Sequence, residues 1–231
     1  YNEESMIGAT LQGLESAGRT LNEAYEIVVV NDGSEDRTAA VARSLGARVV
    51  RVSHRQIAAS RNSGARDAKG EILIFVDADT IAGEDVVKAA VKALRDGAVG
   101  GGATVHFEGS LPLYARLIVP LSMWLARTAR LAAGCFLFCK REAFDAVGGF
   151  DERFFCAEEI VLGKALKRLG PFLILRESVV TSGRKLRAYP ALKLLHLIVA
   201  IARGGQKSLM QRKGLEFWYK QRCQGGDAGK S

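Results

Sequence analysis

Short apolar runs alternate with amphipathic segments along the first half of the chain, which predicts a series of strand and helix units. Continuous apolar runs predict strands at residues 26–30, 47–52 and 71–76. Apolar residues that recur every three or four positions predict helices at 35–45, at 57–69 and after Gly83. Because runs such as IVVV and ILIFV have no polar face, we expect an α/β fold with a mostly parallel sheet and helices on both faces.

The pattern becomes less regular after about residue 97. Three consecutive glycines precede a strand-like TVHF, and an apolar segment at 111–125 is broken by Pro120. The remaining predicted elements are a strand at 134–139, a GGFDE turn at 148–152 and a helix at 157–169. We therefore divide the chain into a first half, a second half and a basic, apolar-rich tail, at residues 1–97, 98–183 and 184–231.

The composition is that of a globular protein, with 231 residues, of which 48% are hydrophobic and 25% charged. The formal net charge of +8 favours anionic partners such as nucleotides, phosphates or acidic lipids. Nucleic acid is not expected as a partner, because the basic residues are scattered and no nucleic-acid-binding module is visible. The four cysteines lack the CxxC spacing of a metal or redox site, so we predict reduced thiols and a cytoplasmic location.

Two carboxylates, Asp77 and Asp79, follow the apolar run ILIFV directly. In an open α/β sheet, ligands bind at the carboxyl ends of the strands, so side chains at this position are candidates for chemistry. A spacing of two residues lets both side chains point to the same side of an extended backbone. Two such oxygen ligands suit Mg²⁺ or Mn²⁺ bound together with phosphate groups. The alternative is that an aspartate caps the helix after Gly83.

Another acidic residue, Asp32, follows an earlier strand and precedes a glycine turn and a predicted helix. This order is typical of a phosphate- or nucleotide-binding turn, although helix capping is the alternative. Arg61 lies in a helical stretch of small residues, AASRNSGA, which leaves room for close packing. Its guanidinium could bind a diphosphate at two points, whereas a solvated surface arginine is the alternative.

Four segments, in this order, resemble glycosyltransferase family 2: YNEES, VVVNDGSEDRT, RNSGARDAKGE leading into ILIFVDADT, and GGFDERFFCAEEIVLGKALKRLG. The resemblance covers about residues 1–182. It implies a GT-A fold, with a Rossmann-like sheet and an irregular acceptor-binding half. It also implies inverting transfer of a sugar from a nucleotide donor, which we expect to be a UDP sugar, to an acceptor hydroxyl. Mn²⁺ or Mg²⁺ is the implied cofactor.

The resemblance implies roles for the residues that match these motifs. Asp32 matches an aspartate that contacts uracil, whose N3–H an ionised carboxylate can accept, whereas cytosine has only a lone pair at N3. Asp77 would lie beside the ribose and Asp79 would bind the cation. Both aspartates are candidates for the metal site. The other positions matched to the nucleotide side are Tyr1, Asn2, Glu3, Arg61 and Arg184.

The resemblance places the catalytic base at the start of the helix after the GGFDE turn. Family members usually carry Glu-Asp there, and the aspartate deprotonates the acceptor, but this chain has Glu158-Glu159. Alignment favours Glu159, while a helical projection brings Glu158 closer to the inward stripe that includes Leu162 and Leu169. We predict that Glu159 is the base and that Glu158 orients it or binds the acceptor. The alternative is that both residues only complement the positive end of the helix.

Arginines and lysines flank apolar residues at 111–130 and 186–203. This pattern predicts peripheral attachment to an anionic membrane surface at its cytoplasmic face, where a glycan or lipid-linked acceptor would be found. Core packing or a dimer interface is the alternative, and we expect Trp124 to pack. The apolar run at 194–202 is shorter than the roughly 20 residues that span a bilayer, so no transmembrane helix is predicted.

Two other functions remain open at this point. A sugar nucleotidyltransferase would also use two metal-binding acids, but the Gly-rich loop with a basic residue that it would carry near the N-terminus is not seen. A non-catalytic nucleotide-binding module is supported only by the Glu-Glu pair. The resemblance also implies a hydrophobic strand ahead of Tyr1, inside the sheet. We therefore expect the strands beside that position to lack a partner within residues 1–231.

Overall fold

The structure is a computed structural model that describes residues 1–184, 187 and 209–210. The helices are α1 (Ile7–Arg19), α2 (Thr38–Ser44), α3 (Ile57–Asp67), α4 (Glu84–Arg95), α5 (Leu113–Thr128), α6 (Arg141–Ala146) and α7 (Glu158–Leu166). The strands are β1 (Val28–Asp32), β2 (Arg48–Val52), β3 (Ile72–Val76), β4 (Thr80–Ile81), β5 (Gly100–Glu108), β6 (Phe136–Lys140) and β7 (Phe172–Ser182). Most of the predicted basic tail lies outside the described residues.

The strands form two sheets. β1 and β2 pair in parallel, and the larger sheet has the order β3-β6-β5-β7-β4. Within the larger sheet β5 and β7 are parallel, and the other neighbouring strands are antiparallel. The α/β class agrees with the sequence pattern, but antiparallel pairing is more frequent than predicted. The reason is that a continuous apolar run reports burial of a strand on both faces, which an interior antiparallel strand also has.

β6 is buried on both faces inside the larger sheet. Phe136 and Phe138 point to one side, where they join a cluster that includes residues of α1 and α4. Leu137 and Cys139 point to the other side, where they join residues of α3, α6 and α7. Helices therefore cover both faces of this sheet, as the sequence pattern predicted.

The three glycines at residues 100–102 begin β5, although the sequence pattern predicted only the TVHF portion as strand. A Cβ atom at Gly101 would lie 2.2 Å from the carbonyl oxygen of Leu173 and 2.4 Å from Cζ of Phe138. The strand can reach its position between β6 and β7 only because this residue has no side chain.

Four elements were not predicted from the sequence: the short β4 and α6, and the longer α1 and β7. β7 lacks clean alternation because Arg176 and Glu177 interrupt it and because its register with β5 shifts between Gly102 and Thr104. α1 packs Ile7 and Leu11 into a small cluster with α2 residues, and its polar face hides this role in the sequence.

A cavity of about 1780 Å³ is lined by residues of both β1 and β3. Among the described strands, β1 pairs only with β2 and β3 pairs only with β6. Each of these two strands thus has one edge that no other described strand pairs with. The same cavity extends to the carboxyl ends of β1 and β3, where Asp32 and Asp77 lie.

α5 continues through Pro120, where the sequence pattern predicted a break. Trp124 on this helix is 62% exposed, so the prediction that it packs in the core is wrong. Trp124 lies at helical spacing from Leu113, Arg116 and Arg127, which are also exposed, so this side of α5 faces solvent. In the ranges that the structure describes, no helix combines the length and apolarity needed to cross a membrane.

The lack of room for a side chain at Gly101 can be tested by substitution. Gly101→Ala is expected to lower the free energy of unfolding by about 3 kcal/mol, the upper end of overpacking effects, because the new methyl group collides with main chain. Gly8→Ala, on α1, is the matched control: its Cβ would lie 3.9 Å from Val41 Cγ1, and alanine favours a helix over glycine. Thermal unfolding followed by circular dichroism measures both. Equal melting temperatures for the two variants would contradict the packing at β5.

Candidate active site

The Asp77-Ala78-Asp79 turn is held between two strands of the larger sheet. The Asp77 N–H donates to the Cys135 carbonyl oxygen at 3.1 Å, just before β6. The Ser182 N–H, at the end of β7, donates to the Asp79 carbonyl oxygen at 3.1 Å. These bonds from both sides set where the two carboxylates lie.

Asp32, at the end of β1, uses its carboxylate to hold the start of α3. It accepts hydrogen bonds from the N–H groups of Arg55 at 2.7 Å and Gln56 at 3.0 Å, and from the Ser60 hydroxyl at 2.8 Å. The sequence alternative was a cap on the helix that follows Asp32, which is α2, whereas these contacts are all with α3 and the residues just before it. Asp32 also lines the same cavity as Asp77 and Asp79, so the three acids share one cleft.

The first three residues lie along the turn that follows β1. The Asn2 N–H donates to Ser34 Oγ at 3.0 Å, and Asn2 Oδ1 accepts from the Glu35 N–H at 2.9 Å. The Glu3 N–H donates to Thr38 Oγ1 at 2.8 Å. Tyr1 is 43% exposed and lines the cavity with Asn2 and Glu3. The segment thus borders the cleft next to Asp32.

Arg184 connects this first segment to the Asp77-Ala78-Asp79 turn. Its guanidinium hydrogen-bonds the Glu3 carboxylate and lies 3.5 Å from an Asp79 oxygen. Its Nε donates to Ser182 Oγ at 2.9 Å. Burial lowers the pKa of Arg184, but the hydrogen bond and charge of Glu3 and the charge of Asp79 outweigh it and raise the pKa. The guanidinium therefore supplies positive charge at the cleft.

Arg61, on α3, contacts the carboxylates of Asp77 and Glu158. One guanidinium nitrogen donates to Glu158 Oε1 at 2.9 Å, and the other donates to Asp77 Oδ1 at 2.8 Å and to the Gly134 carbonyl oxygen at 2.6 Å. Burial would lower the pKa of Arg61, but Asp77, Glu158 and Glu159 together raise it. These donors serve acceptors of the protein itself, whereas the sequence suggested a diphosphate.

The two glutamates at the start of α7 differ in environment. Glu158 is 4% exposed and is paired with Arg61, whereas Glu159 is only partly buried. Burial and the neighbouring charge of Glu158 raise the pKa of Glu159 to about 7, against the opposing effect of Arg61. Because α7 ends at Leu166, Leu169 is exposed and does not belong to the inward stripe assumed for the sequence. A carboxyl group with a pKa near neutrality is suited to take up and release protons.

Gly134 is part of the site, and sequence reasoning missed it. Besides accepting from Arg61, it lies so close to α7 that a Cβ atom would be 3.3 Å from Glu159 Cδ. The run of small residues AAG before β6 was the available signal. Next to it, burial and the charges of Asp77 and Asp79 raise the pKa of Cys135 to about 12, so this thiol stays protonated.

Asn62, the neighbour of Arg61 on α3, holds the GGFDE turn ahead of α7. Its amide donates to the Phe150 carbonyl oxygen at 2.9 Å and to Glu152 Oε1 at 2.9 Å, and it accepts from the Phe150 N–H at 2.9 Å. Gly149 has φ +75°, and a Cβ atom there would lie 2.8 Å from Asn62 Oδ1. The turn thus requires a glycine at this position, both for its backbone conformation and for space.

Asp77 and Asp79 have the hard oxygen donors that Mg²⁺ and Mn²⁺ prefer. No group of three or more acidic, histidine or cysteine side chains suited to a metal ion occurs in the described part of the chain. Such a pair fits a cation whose other ligands are phosphate oxygens and water, which is how Mg²⁺ is usually bound at phosphate sites. The residues present therefore fit a cation bound together with a diphosphate.

The sequence profile of Glycosyl transferase family 2 matches residues 1–148. The chain belongs to this family. A relative from Pyrococcus furiosus, a dolichol-phosphate mannosyltransferase, is 28% identical over 189 residues. The match covers 78% of this chain but 50% of the relative, so the chain spans about half of that protein's length.

Solved structures of two transferases share the fold. The mannosyltransferase PcManGT from Pyrobaculum calidifontis, solved with GDP-Man and Mn²⁺, has a TM-score of 0.63 at 22% identity over 87% of this chain and 62% of its own. Glucosyl-3-phosphoglycerate synthase from Mycobacterium tuberculosis, solved with Mn²⁺, UDP and glucosyl-3-phosphoglycerate, has a TM-score of 0.60 at 21% identity over 92% of this chain and 77% of its own. The fold is therefore GT-A, as the resemblance implied.

The raised pKa of Glu159 leads to a prediction on stability. Between pH 4.5 and 7 the native state binds more protons at this site than the unfolded state does, so ionisation at higher pH destabilises the fold. Glu159→Gln is expected to gain stability over the wild type by about 1–3 kcal/mol more at pH 8 than at pH 5. Urea unfolding at both pH values measures the difference. Glu142→Gln, an exposed glutamate on α6, is the control, and an equal response of both variants would contradict the burial of Glu159.

Proposed function

We propose that this chain transfers a sugar, with inversion, from a nucleotide donor to an acceptor hydroxyl carried on a lipid-linked molecule. The observation that carries the proposal is the arrangement of the two glutamates: Arg61 bonds both Asp77 and Glu158, and the next residue, Glu159, has a pKa of about 7. Separate acidic groups are thus available for the leaving diphosphate and for the acceptor proton. Family membership supports a transferase rather than a nucleotidyltransferase.

The nucleotide would lie in the cleft lined by Tyr1, Asn2, Glu3 and Asp32. Asp79, with Asp77, would hold a divalent cation, which when bound supplies positive charge to the departing diphosphate. Arg184, beside Asp79, adds a further positive charge on this side. One structural relative was solved with GDP-Man and another with UDP. We propose UDP as the donor nucleotide of this chain, because the Asp32 carboxylate can accept the N3–H of uracil.

The acceptor oxygen attacks the anomeric carbon on the face opposite the diphosphate, and Glu159 takes its proton. A general base of this kind contributes a factor of about 10²–10⁴ to the rate. A hydroxyl needs this help, whereas a phosphate group, with a second pKa of about 6, is already ionised at neutral pH. A general base at Glu159 therefore favours a hydroxyl acceptor over a lipid phosphate.

The relative from Pyrococcus furiosus is named for a lipid phosphate, which supports a lipid-linked acceptor for this chain as well. One side of α5 suits a membrane surface, since Leu113 is 73% exposed and Trp124 is 62% exposed. Arg116 and Arg127 lie on the same side at helical spacing, and both are exposed. No acidic residue occurs between Glu108 and Glu142.

Basic and aromatic residues without acidic neighbours match an anionic lipid surface in charge and in amphipathic character. The chain that follows α5 reaches Gly134, which contacts both Arg61 and Glu159 in the site. We propose that a lipid-linked acceptor held at this surface approaches the base along the segment that joins α5 to Gly134. We propose peripheral association with the cytoplasmic face of a membrane.

The transferase function is tested by the release of UDP or GDP from a panel of nucleotide sugars with Mn²⁺ and lipid-linked hydroxyl or phosphate acceptors. Glu159→Gln is expected to lower kcat by about 10²–10⁴, and wild-type kcat should rise with pH through about 7 as the base ionises. A phosphate acceptor used equally well by the wild type and Glu159→Gln would contradict the hydroxyl assignment. Donor binding without turnover would favour the non-catalytic module.

Membrane association is tested by flotation with vesicles of phosphatidylcholine alone or with phosphatidylglycerol. Binding is expected only with the anionic lipid, and Arg127→Glu should weaken it at least about fivefold, because each basic residue near the surface contributes about 1 kcal/mol. Lys92→Glu makes the same charge change on α4, at a side chain that is 75% exposed, and is the control. Equal loss with both variants would mean that net charge, and not the α5 face, directs binding.

A further inference from the structure

We propose that Arg61 is a positioning residue that ties the nucleotide-side carboxylate Asp77 to the acceptor-side glutamates, and that it does not bind the diphosphate. This inference rests on the proposed transferase function. Arg61 touches three parts of the chain that are distant in sequence: the turn after β3, the segment before β6 and the start of α7.

The geometry of the guanidinium makes this bridge rigid. Its two terminal nitrogens lie in one plane and point in set directions, so bonds to Glu158 and Asp77 define the distance between those carboxylates. The guanidinium carbon also lies 5.3 Å from the centre of the Phe150 ring, which belongs to the turn held by Asn62. A lysine ammonium, a point charge on a flexible stem, could not span the same set of contacts.

The electrostatics show why Arg61 matters on the acceptor side. The side chains of Arg61 and Glu158 are 13% and 5% exposed, so either charge alone would be poorly solvated. Glu158 keeps its place because Arg61 compensates it, and Glu159 follows directly in the first turn of α7. Arg61 therefore sets the position of Glu159 against Gly134 indirectly, through its bond to Glu158.

The two roles for Arg61 differ in what they predict for binding and turnover. An arginine that binds the diphosphate adds to donor affinity, so its loss would raise the KM for the donor and the Kd of the nucleotide. An arginine that positions the base acts on the transition state, so its loss would lower kcat with a much smaller change in both constants.

The experiment compares Arg61→Lys and Arg61→Met with the wild type and with Arg141→Lys. The Arg141 guanidinium donates to the carbonyl oxygens of Ala65, Ala68 and Gly70, so it anchors main chain ahead of β3, at the opposite end of that strand from Asp77. Measurements are kcat, the KM for the donor, the Kd of UDP or GDP with Mn²⁺ by calorimetry, and the melting temperature. Both Arg61 variants are expected to lose about 100-fold in kcat, the effect of a misplacement of about 1 Å. Arg141→Lys should lower only the melting temperature.

A double variant separates the bridge from a general loss of stability. Glu158→Gln combined with Arg61→Met should lower kcat little more than Arg61→Met alone, since the two residues act through one contact. Additive losses would overturn the bridge, as would donor constants that rise at least 100-fold with kcat unchanged. An inactive wild type across the whole donor panel would instead refute the proposed function, and the positioning role with it. If Arg61→Met does not fold, Arg61→Lys alone decides between the outcomes.

Discussion

The antiparallel pairing of β3 with β6 is the constraint on which the site depends. Because the strands run in opposite directions, the end of β3 meets the start of β6, and Val76 lies opposite Phe136. Asp77 therefore sits next to the segment that carries Gly134 and Cys135, with a main-chain hydrogen bond between them. A parallel neighbour would have placed its own carboxyl end there, and the glutamates of α7 would have no route to Asp77 through a single arginine.

The candidate acids on the nucleotide side could be located from the sequence because each follows a strand. A run of apolar residues that ends in Asp32 or Asp77 predicts a strand and places the acid at the carboxyl end of that strand. In the described structure both acids line one cleft. The motif resemblance added the family and the GT-A fold, which periodicity alone does not distinguish from other α/β folds.

Other features depend on contacts between distant residues, which no local pattern reports. The partners of Arg61 are 16, 73 and 97 residues away, so its sequence context of small residues suggested a ligand instead. The register of β7 against β5 shifts, so the sequence of β7 does not alternate regularly between apolar and polar residues. The glycines of β5 were not predicted as strand, because the close contacts that require a glycine come from Leu173 and Phe138, which are distant in sequence. Exposure of Trp124 follows from how α5 packs, which composition does not define.

Arg61 and Asn62 are consecutive residues on α3, yet one binds α7 and the other binds the turn ahead of it. A movement of α7 relative to α3 would have to break both the Arg61–Glu158 ion pair and the hydrogen bonds of Asn62 to Phe150. The two consecutive residues thus couple α3 to α7 and to the preceding turn, so we expect these elements to move as one rigid unit.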